Sequence, residues 1–237
     1  MRKPFKFKQF TIYQDRCAMK IGTDGVLLGA WSNISNSPES ILDIGAGTGI
    51  IGLMLAQRCY AESIDAIEID EDAFEQCVEN FEASPWADRL FCYHASFDEF
   101  LHEVDDKYDL IISNPPFYSE KVSSGDNVRD QARQNSSLPF SLLLKGVSEL
   151  LSENGRFALV IPYKEEKSVL KEALKVGLYP ARLLRVKGHP DSEVKRSLVE
   201  FKFKKNPVLM SELTIEKTRH EYTEDYINLT KDFYLKM

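Results

Sequence analysis

Residues 41–49 read Ile41–Leu42–Asp43–Ile44–Gly45–Ala46–Gly47–Thr48–Gly49: a strand-length apolar run that passes straight into a glycine-rich turn. Glycine here lets the backbone reverse tightly and approach a ligand with no Cβ in the way. A helical pattern follows at once over Ile50–Gln57, and a helix start offers N–H groups without intrahelical partners. Strand, glycine turn and helix in that order open an α/β unit whose ligand sits beyond the carboxyl end of the strand.

Outward from this unit the alternation continues. Strand-length runs at Ile64–Ile69, Leu90–Tyr93, Tyr108–Ser113 and Arg156–Ile161 join the first, with helical patterns at Glu71–Glu82, Phe140–Leu151 and Glu165–Lys175. Such alternation predicts a mostly parallel sheet covered on both faces. Two further runs, Leu183–Val186 and Ser197–Phe203, have no helix between them, only the turn-rich Lys187–Glu193, and read as a terminal antiparallel hairpin. The expected fold is therefore α/β, a seven-stranded, mostly parallel sheet ending in that hairpin. One domain is predicted over 1–237, with an N-terminal extension (1–33), a core (34–206) and a tail packed on the core (207–237).

The chain has 237 residues, 43% hydrophobic and 28% charged, near the averages for globular proteins. No apolar run approaches the roughly 20 residues that span a bilayer, and the charged start MRKPFKFKQF lacks the apolar stretch of a secretory signal. A cytoplasmic location is the expectation. The cysteines (17, 59, 77, 92) and histidines (94, 102, 189, 220) fit no metal spacing, so reduced thiols and no metal are expected. No dimerisation element is visible, which leaves a monomer as the default.

The net charge is −7, unevenly distributed. Residues 61–110 carry 16 acidic side chains against Arg89 and Lys107. Basic excess gathers in residues 1–20 (Arg2, Lys3, Lys6, Lys8, Arg16, Lys20) and again in residues 182–205. Two readings stay open: a surface for a polyanion on one side of the molecule, or ordinary solvated faces.

Glu68, at the end of the second strand, lies about 20 residues beyond the glycine turn, where a carboxylate can accept both ribose hydroxyls of an adenosine-containing cofactor. The loop alone does not say which cofactor. Gly47, Gly49 and Gly52 also fit the dinucleotide fingerprint. Asp43 favours S-adenosylmethionine, because a carboxylate there suits a cationic amino-acid end and ill suits a pyrophosphate.

The fourth strand ends in Asn114–Pro115–Pro116–Phe117. An adenine amine is a poor nucleophile because its lone pair is spread into the ring. Two acceptors aimed at its hydrogens turn that lone pair towards a methyl donor, and the Asn114 side-chain oxygen and Pro115 carbonyl are suited to this. Prolines fix φ and lack N–H, which stiffens the loop and leaves carbonyls available. Phe117 offers a face on which an extruded base can stack. As a bare string the tetrapeptide could be a turn; its place after the fourth strand marks it as catalytic.

With these residues in view, the chain resembles the valine-tRNA adenine-N6-methyltransferases, which modify the adenosine next to the anticodon. The likeness runs from Phe10–Thr11–Ile12 through Met19–Lys20–Ile21–Gly22–Thr23–Asp24–Gly25–Val26–Leu27–Leu28–Gly29–Ala30–Trp31. It continues through the glycine loop, Glu68, Asn114–Phe117, Ala132–Arg133 and Lys195–Arg196 to Tyr222–Thr223 and Asp232–Phe233–Tyr234. The resemblance implies a Rossmann-like class I methyltransferase fold, S-adenosylmethionine as cofactor and tRNA as partner. It implies that Asn114, Pro115, Pro116 and Phe117 hold the adenine, and that Asp43, Gly45, Gly47, Gly49 and Glu68 hold the cofactor. Thr23 and Asp24 would wall its amino-acid end. Ser96 stands where related enzymes usually have an aspartate near the cofactor's adenine, with Asp98 as a possible substitute. Arg129 and Arg133, in the loop after Phe117, are expected to contact phosphates together with Lys3, Lys6, Lys8, Lys195 and Arg196. Three alternatives remain: methylation of a protein glutamine, methylation of a ribosomal guanine amine, and a non-catalytic RNA- or cofactor-binding module.

Overall fold

The structure is a computed structural model that describes residues 3–116 and 138–237. A short antiparallel pair, β1 (Phe5–Lys6) and β2 (Thr11–Ile12), precedes helix α1 (Thr23–Trp31). Strand–helix units follow: β3 (Ser40–Ile44) with α2 (Ile50–Arg58), β4 (Ser63–Glu68) with α3 (Glu71–Glu82), and β5 (Leu90–His94) with α4 (Phe97–Glu103). Next come β6 (Tyr108–Ser113), α5 (Phe140–Leu150), β7 (Leu151–Pro162) and α6 (Glu166–Lys175). The chain continues through β8 (Tyr179–Lys187), β9 (Val194–Lys202), β10 (Leu209–Thr214), β11 (Glu216–Thr218), β12 (Glu221–Tyr222) and α7 (Glu224–Thr230).

The main sheet runs β10-β8-β9-β7-β6-β3-β4-β5. Only β9 opposes its neighbours; Leu184 faces Leu198 across the expected hairpin, and every other pairing is parallel. The mostly parallel sheet with its hairpin matches the sequence expectation. An eighth strand adds to it: β10, from the stretch expected to be tail, lies parallel to β8 with Leu209 opposite Arg182. Its first four residues are exposed and only Leu213 is buried, so its sequence lacks the alternation that announces a strand.

Both faces of the sheet are covered, and β7 shows how. Ala158 and Val160 enter one core with α1, α2, α3 and α7, while Phe157, Leu159 and Ile161 enter the other with α4, α5 and α6. The period of two in side-chain direction makes one strand serve two cores. Helix α1 has no apolar stripe, because Gly25 through Trp31 are all buried.

The segments before β2 and after α7 are knitted together. Phe7 bridges to Tyr234, the Lys8 amide donates to the Phe233 carbonyl at 2.8 Å, and Phe7 stacks between Phe10 and Tyr234. Much of the basic excess of residues 182–205 is engaged internally. Fully buried Glu200 accepts from Arg156 at 2.9 Å and Arg182 at 3.1 Å, and Arg182 also lies over the Trp31 ring at 4.2 Å. Arg185 pairs with Glu166 at 2.8 Å and Lys187 with Glu212 at 3.4 Å. Buried charges persist only where they are paired and hydrogen-bonded in this way.

Candidate active site

Strand order reverses between β3 and β6, the point at which an open α/β sheet leaves a crevice. A cavity of about 500 Å³ lies there, lined by Gly45, Gly47, Glu68, Ser96, Asn114 and Pro116 among others. The Ser113 hydroxyl donates to the Ile44 carbonyl at 2.8 Å. That bond ties the end of β6 to the end of β3, so Asn114 and Gly45 leave the sheet at a fixed spacing.

The glycines divide the work. Gly45, Gly47 and Gly49 have φ of 74°, 55° and 76°, a left-handed region that costs other residues roughly 1–2 kcal/mol. Nothing stands within 4 Å of where a Cβ would lie on Gly45 or Gly47. On Gly49 a Cβ would meet Phe81 Cε1 at 2.6 Å and Cys77 Sγ at 2.8 Å. The first two present bare backbone to open space, and the third lets α3 pack against the loop. Gly49→Ala is therefore expected to lower the melting temperature by several degrees through overpacking of about 1–3 kcal/mol on top of the strain. Gly47→Ala should melt closer to wild type yet weaken cofactor binding on the order of tenfold. Thermal melts beside calorimetric titration check both; equal melting losses would contradict this division.

Glu68 is held by backbone. Its carboxylate accepts from the Gly47 amide at 2.8 Å, Ile69 at 2.9 Å and Asp70 at 3.0 Å. Burial raises its pKa, and the same three amides work against that rise. Asp43 is fully buried on β3, its carboxylate near the Gly52 amide of α2 but with no hydrogen bond of good geometry to either oxygen. Burial pushes its pKa up to about 7, the Gly52 amide opposing and the Glu68 carboxylate adding.

Every charged residue among the described lining is acidic: Glu68, Asp70 and Asp98. Such a lining suits a cation and repels a pyrophosphate. Cys17 also lines the cavity, and burial, followed by the Glu68 and Asp70 carboxylates, pushes its thiol up to about 12, so it stays neutral and is no nucleophile. Among the described residues no cluster of His, Cys, Asp or Glu is placed to hold a metal, and no helix is long and apolar enough to cross a membrane.

Ser96 lines the cavity but is occupied as the N-cap of α4. Its hydroxyl donates to Glu99 Oε2 at 2.7 Å and accepts from the Glu99 amide at 3.2 Å, a capping box. Asp98, two residues later, also lines the cavity, with its side chain largely exposed.

Several site residues carry no chemical signal in the sequence. Cys17, Ala18 and Met19 form one wall, and Leu138 and Pro139 another. Buried Asn80 holds the first wall in place: its carboxamide accepts from the Tyr13 amide at 2.8 Å and donates to the Tyr13 and Thr48 carbonyls at 2.9 Å. Arg16, from the basic N-terminal stretch, pairs with Glu75 and Glu79 on α3. An uncharged Asn inside an amphipathic helix reads as filler until its partners are seen.

Thr23 and Asp24 line a second cavity of about 430 Å³, together with Lys187, Lys195 and Arg196. The structure thus groups the residues expected at the cofactor's amino-acid end with two expected at RNA. Arg196 binds Asp24 at 2.7 Å, and Lys8 donates to the Lys231 carbonyl at 2.6 Å. Phe117, Arg129 and Arg133 lie outside the described residues.

The chain matches the methyltransferase small domain family over residues 25–176. It is 60% identical over 237 residues, covering 99% of both chains, to a tRNA1(Val) (adenine(37)-N6)-methyltransferase of Christiangramia forsetii. It is 47% identical over 239 residues, covering all of both chains, to one of Bacteroides fragilis. The fold is similar to the crystal structure of a predicted O-methyltransferase from Agrobacterium tumefaciens, with a TM-score of 0.69 at 18% identity over 89% of this chain and 96% of that one. That likeness speaks to fold alone, whereas the sequence likeness runs nearly end to end at identities far above chance, and on it the chain belongs to the family of tRNA1(Val) (adenine(37)-N6)-methyltransferases.

Proposed function

We infer that the acidic cavity binds S-adenosylmethionine and that Asn114, at its rim, presents the N6 amine of a tRNA adenine, adenosine 37 of valine tRNA, for methylation. The carrying observation is the joint position of Asn114 and Gly45 across the strand-order switch, tied by the Ser113–Ile44 bond. The buried, unpartnered carboxylate of Asp43 and the open Gly45 and Gly47 backbone support the cofactor's cationic amino-acid end. Glu68 is placed to exchange its Gly47 bond for ribose hydroxyls, with Asp98 and Ser96 near the adenine.

When bound, S-adenosylmethionine supplies an electrophilic methyl group on a cationic sulfur. The Asn114 side-chain oxygen and the Pro115 carbonyl accept the two amine hydrogens. This turns the nitrogen lone pair out of the ring plane and along the line of attack. The acidic wall favours positive charge in the ground state, so rate comes from orientation and pre-placed acceptors rather than from a strong base. Once methylated, the nitrogen is acidic enough to release its surplus proton to water. Pro115 is buried and Pro116 half-buried, which keeps the acceptors from moving as the base arrives. Lys3, Lys6 and Lys195 are proposed as phosphate contacts; Lys8 and Arg196 already have intramolecular partners.

The test is methyl transfer from labelled S-adenosylmethionine into bulk tRNA of a strain lacking this protein, followed by nucleoside analysis. N6-methyladenosine mapped to position 37 of valine tRNA is expected. Absence of label in tRNA from a preparation that binds the cofactor would overturn the reading.

A further inference from the structure

Asp24 and Arg196 lie 172 residues apart in sequence and meet at 2.7 Å, Nε to Oδ2, with side chains 25% and 20% exposed. Arg196 is a fixed post. It lies on β9, in ladder register with Pro162 of β7 on one side and Val186 of β8 on the other. Asp24 is in the first turn of α1, and the residue before that helix, Gly22, has no side chain to cap it. A glycine N-cap costs the helix start little, so the ion pair is an added tie across the fold, and a carboxylate there also complements the helix dipole.

The next residue connects this turn to the chemistry. A methyl group built on Gly25 would stand 3.7 Å from Asn114 Nδ2, 3.5 Å from Ile50 Cγ2 and 4.0 Å from Ile51 Cγ1. The first turn of α1 thus lies beside the Asn114 carboxamide on its Nδ2 side, with room between them for about one methyl group. Asn114 also lines the cofactor cavity, so a shift of this turn reaches a residue of the site.

We propose that the Asp24–Arg196 ion pair is a positioning element for Asn114, fixing the first turn of α1 so that Gly25 sets the place and orientation of the catalytic carboxamide. The pair acts through Asn114, touching neither the cofactor nor RNA phosphate. This rests on the reading of Asn114 as acceptor for the adenine amine.

Steady-state kinetics separate the roles. Asp24→Asn and Arg196→Gln are each expected to lower kcat on the order of tenfold, leaving KM for tRNA and the affinity for S-adenosylmethionine within about twofold. The double variant should lose little more than either single, because both remove the same ion pair, and Asp24→Glu with Arg196→Lys should recover part of the rate. A raised KM for tRNA at unchanged kcat in Arg196→Gln would make it a phosphate contact and overturn the proposal. Lost cofactor affinity in Asp24→Asn would make that residue a cofactor wall and would overturn the proposal equally. If the ion-pair variants do not fold, Gly25 approaches the contact from the other side: the loss in kcat should grow from Gly25→Ala to Gly25→Leu, and a flat series overturns the proposal. A readout without turnover is the Asn114 side-chain amide resonance in ¹H–¹⁵N spectra, identified by its absence in Asn114→Ala. It should move in Asp24→Asn, and an unmoved resonance overturns the proposal even if wild-type protein is active. Wild-type protein inactive on tRNA would instead overturn the function.

Discussion

Asn114→Ala is expected to fold, bind S-adenosylmethionine as wild type does, and methylate adenine roughly 10²–10³-fold more slowly. The residue follows β6, whose end is held to β3 by Ser113, so the loop keeps its path without the carboxamide. Asn114 is only half-buried, and truncating it leaves no sealed cavity. Its loss removes an acceptor needed when the amine leaves the ring plane, so kcat and kcat/KM should fall together. Single-turnover transfer into tRNA, beside a cofactor titration, measures both quantities. A rate within tenfold of wild type would take Asn114 out of the chemistry.

Asp43→Asn should move stability and binding in opposite directions. An unfolded aspartate titrates near 3.9, whereas burial pushes folded Asp43 up to about 7. Between those values the folded protein holds a proton that the unfolded chain has released. Stability then declines as pH rises from about 4 to about 7, and the deficit is complete above that. Asparagine has no such proton, so the variant should melt several degrees higher than wild type at pH 8, with the gain shrinking towards pH 5, at about 2–4 °C per kcal/mol in a chain of this size. Affinity for S-adenosylmethionine should drop at least tenfold, about 1.4 kcal/mol. In wild type that affinity should rise as pH passes upward through 7, because the cation prefers the ionised carboxylate. Melting curves and titrations at pH 5 and 8 decide the matter. A variant less stable than wild type at pH 8 would mean that Asp43 chiefly supports the start of α2 through the Gly52 amide.

The elements legible in the sequence are those with one wet side or a marked boundary. Tyr108–Ser113 and Glu71–Glu82 match their expected bounds to the residue. The first is a strand followed by a proline stop; the second is an amphipathic helix capped by Asp70, whose side chain accepts from the Ala73 amide at 2.9 Å. Helix α1 is illegible because burial on nearly all sides erases its period. Helix α4 is short, and its Ser96–Glu99 capping box lies within a segment whose residues point first to cofactor chemistry. The chemical half of the site is visible because glycine at positive φ, a carboxylate at a strand end and Asn-Pro-Pro are residue choices with few other uses. Its walls are not: Cys17–Met19 and Leu138–Pro139 contribute apolar surface and backbone, which any sequence could supply. Charge misleads most. Arg16, Arg182, Arg185 and Arg196 gather in basic stretches yet answer acids brought from elsewhere by the fold, and no linear count foresees such partners.

The joining of Phe7 and Lys8 to Phe233 and Tyr234 also sets an order in time. On the ribosome a chain emerges from its amino end, at about 5–20 residues per second. The segment that carries the Cys17–Met19 wall is made first, yet the contacts that seat β1 are made almost last. Until they form, the Cys17–Met19 wall is held to α3 alone, through Asn80 and Arg16. The nascent chain can set that wall against α3 early, but β1 is seated only after the α7 region has been synthesised.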